Sequence, residues 1–146
     1  MVDDLAEIQQ LMSRFLQAVS FRTGEQPAYG DLYELFIEGG TLIRNSSAAP
    51  EISSVDEFIR PRQETVDSGG LAWFEEVEVA EISEIFGNVA HRLSTYEKRG
   101  MMDGAPIEAR GASSTQFIRT PNGWRMSSMA WDDERPGLVL PARYTA

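Results

Sequence analysis

The sequence predicts an α+β fold, with N-terminal helices packed on one face of an antiparallel sheet. Three observations carry this. Apolar residues first recur at helical spacing, and from Leu71 the period changes to alternation. Gly111 to Asp133, GASSTQFIRTPNGWRMSSMAWDD, reads as two long antiparallel strands and the turn joining them. In that turn, Thr120-Pro121-Asn122-Gly123, proline pre-sets the first corner and asparagine tolerates the second. Glycine supplies positive φ at the exit, the order of a type I turn closed by a glycine bulge.

Each element has its own signal. Asp3 or Asp4 can cap a first helix, in which Leu5, Ile8, Leu11 or Met12, Phe15 and Val19 make a wide apolar stripe. It stops near Thr23-Gly24, and a short loop carries Pro27. A second, shorter helix is expected from Tyr29 to about Ile37, ended by Gly39-Gly40. Thr41 to Arg44 is a short strand, and Asn45 to Ser53 a polar loop. Ser54-Val55-Asp56-Glu57 has the spacing of a capping box, so a third helix starts there with Phe58 and Ile59 inward. Pro61 predicts a kink or a split.

Beyond Gly69-Gly70, Phe74, Glu76, Glu78, Ala80 and Ile82 alternate with Glu75, Val77, Val79, Glu81 and Ser83. The imperfect alternation suggests a bulge or twist along a long strand. Gly87-Asn88 is a turn, Val89 to Arg99 a strand, and Gly100 to Pro106 a longer loop. Ile107 to Thr120 and Trp124 to Asp132 complete the sheet. The domain spans residues 1–134. Residues 135–146, with Pro136, Gly137 and Pro141, are expected to form an extended tail.

The 146 residues suit one domain with room for one core. Thirteen basic against 23 acidic residues give a formal charge of -10, which repels phosphate backbones and anionic lipid. Nucleic acid and membrane are therefore not expected partners. With no cysteine, disulfides and thiolate chemistry are excluded, and a cytoplasmic location is favoured. The first ten residues are acidic and amphipathic, unlike a signal peptide. One histidine and scattered carboxylates offer no metal-ligand spacing, and no glycine-rich phosphate loop is present. Neither a metal nor a cofactor is expected.

An amphipathic helix, then LYELFIEGGTLI, then a capped helix, then long strands ending in NGWRMSSMAW resembles the nuclear transport factor 2-like superfamily. Within it, the chain is most similar to SnoaL-like polyketide cyclases and ketosteroid isomerase relatives. The resemblance covers roughly Leu5 to Asp132. It implies a cone-shaped cystatin-like roll, in which a curved sheet wraps helices around an apolar pocket. Many members are homodimers. They include isomerases, dehydratases, cyclases and epoxide hydrolases, and also non-enzymatic binding and assembly modules, so fold alone does not settle function.

Three residues are candidates for catalysis. His91, the single histidine, shares strand parity with Val89, Leu93 and Thr95, which predicts a ring inside the cavity, able to act as acid or base. Glu38 follows Phe36 where ketosteroid isomerase-like relatives often carry an acidic residue; near apolar walls it can shuttle a proton. Tyr33 lies one turn from Tyr29, and phenols there can polarise a carbonyl. Tyr29, Phe36, Phe58, Trp73 and Trp131 are the candidate ligand-binding residues. Asp132 and Asp133 end a strand, where carboxylates are solvated, although Asp132 can overhang the pocket mouth.

Two functions follow. One is a small-molecule pocket protein acting by cofactor-free proton transfer on an apolar ligand, as an isomerase, dehydratase or cyclase. The other is a non-catalytic dimeric binding or assembly module. Dimerisation through the sheet is expected because alternation places Trp124 and Met126 on one face and Met129 and Trp131 on the other.

Overall fold

The first helix forms where its stripe predicts. In the computed structural model, which describes residues 3–145, α1 spans Asp4–Val19 and the Asp3 carboxylate accepts from the Leu5 N–H (3.2 Å). Ile8, Leu11, Met12, Phe15, Ala18 and Val19 are buried. The expected second helix is shorter and divided: a 3₁₀ turn, Tyr29–Asp31, then α2, Leu32–Leu35. Phe36 already belongs to strand β1, Phe36–Arg44, because Gly39 adopts φ +81° and bends the strand without ending it. A short edge strand β2, Glu51–Ser53, replaces part of the polar loop.

Helix α3, Val55–Asp67, starts on the capping box: Glu57 N–H donates to Ser54 Oγ (3.1 Å), and Ser54 N–H donates to Glu57 Oε1 (2.9 Å). Pro61 does not split it. The Thr65 hydroxyl donates to the Pro61 carbonyl (2.9 Å), and the helix runs on.

Four long strands follow as a meander: β3 Leu71–Phe86, β4 Val89–Met102, β5 Ala105–Thr120 and β6 Gly123–Asp133. The expected loop from Gly100 to Pro106 is a two-residue turn, Asp103-Gly104, with both residues at positive φ. The turn at Pro121-Asn122 is as expected; Thr120 pairs with Gly123, whose φ is +103°. Sheet order is β2-β1-β6-β5-β4-β3. The sheet is mixed, since β1 runs parallel to β6 while the other neighbours are antiparallel.

Two of the sheet's register shifts matter most for which side chains face the helices. One lies at Val79 on β3, where pairing shifts between Glu78 and Ala80. The other lies at Ser127 on β6, where Gln116 pairs with Ser128 but Phe117 with Met126. The second turns Trp124, Met126, Met129 and Trp131 all onto the inner face. This corrects the expectation that they divide between faces. Trp124 is fully buried; its backbone N–H donates to Glu7 (2.7 Å) and its indole N–H to Asp4 (3.1 Å), tying β6 to α1.

The tail is not simply extended. Arg135 and Leu138 bridge, a 3₁₀ turn spans Ala142–Tyr144, and Thr95 on the outer face donates to the Tyr144 carbonyl (2.5 Å). The tail thus covers part of the outer sheet face. Met1, Val2 and Ala146 lie outside the described residues.

Candidate functional site

Between α1, α3 and the inner sheet face lies a cavity of about 350 Å³, within the usual range for small-molecule sites. Its apolar wall includes Phe15, Val19, Phe58, Phe74, Met129 and Trp131. Phe58 and Trp131 meet edge to face, with centroids 6.1 Å apart. Into this wall project Glu76 and Lys98 from the sheet, Asp133 from the end of β6, Arg44 from the end of β1, Tyr29, and Arg62 from α3.

Glu76 is the most unusual of these groups. Among the described residues its carboxyl makes no hydrogen bond or ion pair; only its backbone N–H is bonded, to Ser20 Oγ (3.1 Å). Burial raises its pKa, the Asp133 charge adds to this, and Lys98 and Arg62 oppose it. Lys98 is its cross-strand partner. The Lys98 ammonium lies 3.9 Å from Asp133 Oδ1, 4.4 Å from the Tyr96 ring centroid and 5.6 Å from that of Trp131.

Asp133 is held from the other side by the Tyr96 hydroxyl (2.5 Å), which also contacts the Asp132 carbonyl (2.8 Å). Burial, then the bond to Asp133, pushes the Tyr96 phenol up, so it stays protonated. Gly111 makes this possible. A methyl group at that position would collide with the Asp132 carbonyl and the Tyr96 hydroxyl.

Of the sequence candidates, Tyr29, Phe58 and Trp131 line the cavity. Phe36 is buried beside Phe15 (6.4 Å between centroids) but contributes to the core instead. Trp73 has the parity opposite to Phe74 and faces outward.

The three catalytic candidates lie elsewhere. His91 is exposed on the outer face, 2.7 Å from Glu84. Its parity with apolar residues misled because the outer face is apolar too. Glu38 is exposed on β1, beside the Gly39 bend. Tyr33 is exposed on α2 and bonds to Asp56; the turn from 3₁₀ to α geometry separates it from Tyr29.

The missed residues left partial signals. Glu76 shares parity with Phe74 in the sequence. Lys98 could not be placed opposite it: pairing back from Gly87-Asn88 without a bulge puts Arg99 there, and the Val79 bulge moves the register by one. Asp133 is at the strand end as read, but half-buried against Tyr96. Among the described residues there is no group of His, Asp and Glu that could hold a metal ion, and no helix long and apolar enough to cross a membrane.

No protein-family model matches the chain, and no curated protein matches its sequence. Solved structures do match it. An NTF2-like superfamily protein from Salmonella enterica serovar Typhimurium superposes with a TM-score of 0.74 at 16% identity, over 92% of this chain and 93% of its own. An NTF2-like protein with a cystatin-like fold from Novosphingobium aromaticivorans gives 0.67 at 18%, over 97% and 86%. A candidate dehydratase of the NTF2-like family from Streptomyces avermitilis gives 0.67 at 15%, over 90% and 96%. Likeness at such identities is likeness of fold.

Proposed function

We propose, taking the NTF2-like, cystatin-like fold as the premise, that this chain binds an apolar small molecule in its cavity and moves a proton on it, with Glu76 as the acid–base group. One observation carries the reading: a carboxyl with a raised pKa and no side-chain partner faces an apolar cavity. Its ionised form takes a proton from a carbon next to a carbonyl. The electron pair moves onto the carbonyl oxygen, where the Lys98 ammonium stabilises it. The protonated carboxyl then returns the proton, to a different carbon in an isomerisation or to a departing hydroxyl in a dehydration. The apolar wall keeps water from competing.

The test uses a bicyclic ketone, 2-tetralone, in deuterated water. The wild-type chain should accelerate α-deuteration above buffer, and Glu76→Gln should lose about a hundredfold of that acceleration. No acceleration by the wild type, or an unchanged rate in the variant, rejects the reading.

A second reading, a dimeric binding or assembly module, is favoured by exposed apolar side chains on the outer face: Val77, Ile82, Phe86 and Val89. Sedimentation equilibrium at micromolar concentration tests it. A clean monomer mass removes it.

A further inference from the structure

We infer that the cavity takes an acid, a ligand whose carboxylate sits on the Arg62 guanidinium while its apolar body lies against the aromatic wall. This rests on the cavity reading above and narrows its ligand. The cations facing the cavity differ in one respect. Arg44 has Glu51 at 3.2 Å, and Lys98 has Asp133 at 3.9 Å. Arg62 has no carboxylate within ion-pair distance among the described residues. Its one hydrogen bond among them runs from Nη1 to the Phe58 carbonyl, one helical turn back (2.9 Å).

Its position is nonetheless fixed. The guanidinium carbon lies 3.7 Å from the Phe58 ring centroid, and Phe58 is itself braced by Trp131. A guanidinium stacked this way is pre-organised, with several N–H donors left over. Burial lowers the Arg62 pKa, but an arginine stays charged at neutral pH. Arg44 and Lys98 each have a carboxylate partner, so Arg62 is the lining cation left open to an anion. A planar monoanion matches both that charge and the forked donors. The Tyr29 hydroxyl, which has no hydrogen bond among the described residues, lines the same cavity and offers one more donor.

The probes are 2-naphthoate and 2-naphthamide, alike in shape and differing in charge, titrated by calorimetry. The wild type should bind the acid about tenfold more tightly than the amide. Arg62→Met should bring the acid down to the affinity of the amide and leave the amide unchanged. Arg62→Lys should keep part of the preference. Equal wild-type affinities would overturn the inference and leave the cavity reading standing. So would a preference that survives Arg62→Met in a variant with unchanged near-ultraviolet circular dichroism. If neither probe binds at millimolar concentration, both readings fall. A collapse of 2-tetralone exchange in Glu76→Gln bears on the proton-transfer step alone.

Discussion

Glu76 and Glu78 stand two residues apart on β3 and point to the same face, yet they differ in everything that matters to chemistry. Glu78 accepts from Arg92 Nε (2.9 Å) and Nη2 (2.6 Å) and from Ser94 Oγ (2.6 Å). Arg92 is 4% exposed and also lies 3.2 Å from Glu81. Burial opposes the Arg92 charge, but the bond to Glu78 and the charges of Glu78 and Glu81 outweigh it and raise its pKa. Glu76 has no such neighbours. A carboxylate whose lone pairs are filled by its own protein is fixed as structure. One left open toward a cavity can exchange a proton with whatever enters.

The sharpest way to break this contrast is to remove the cation. Arg92→Met leaves Glu78 buried without its partner and should cost about 3–5 kcal/mol, read from the urea midpoint. A loss under about 1 kcal/mol, the worth of an exposed pair, would show that the Glu78 cluster is solvated and that the two sites do not differ as argued.

Glu76→Gln should do the opposite. A carboxyl whose folded pKa is raised binds its proton more tightly in the native state. Its contribution to stability is therefore fully present below the ordinary carboxylate range and is lost as pH rises through the folded pKa. Glutamine cannot ionise. The variant should match the wild type near about pH 4 and be the more stable of the two near about pH 9. Parallel stability curves across that range would place Glu76 in water.

Smaller effects bound the comparison. Ser54→Ala removes one half of the capping box, far from either carboxylate, and should cost about 1 kcal/mol. His91→Ala, on the exposed outer face, should shift stability by no more than about 0.5 kcal/mol and leave naphthoate binding unaltered. A tenfold loss of binding in that variant would return His91 to the site.

What could be read in advance divides along physical lines. Local chemistry was legible: the Ser54–Glu57 box and the Thr120–Gly123 turn each depend on four residues and form as written. So was the element order, because the change of period at Leu71 is a property of burial on one face. The Asp103-Gly104 turn was present as a dipeptide but lay inside a stretch read as loop. Facing was not legible. In a strand of period two, one inserted residue exchanges the faces; the imperfect alternation on β3 pointed to a bulge without placing it at Val79, and the bulge at Ser127 left no signal of its own. That is why Lys98 was missed, whereas His91 was expected inside because the outer face of its strand carries apolar residues too. Arg62 is a different case: its contact with Phe58 follows from i, i+4 spacing on one helix, but that spacing does not say whether the pair faces a cavity or solvent.

The parallel pairing of β1 with β6 also has a kinetic side. The strands from β3 to β6 follow one another as hairpins, so each pairing closes a short loop. Leu42 meets Met129 only after α3 and most of the meander between them have turned back, and Asn45 then donates to the Trp131 carbonyl (3.0 Å from its backbone nitrogen). The loop-closure entropy of that step sets it late. Arg44, Phe58 and Arg62 reach the cavity from the early side of this closure, while Glu76, Lys98 and Trp131 reach it from the meander. The cavity is therefore complete only once this pairing has formed. An occupant that recognises it should slow unfolding while leaving the folding rate untouched.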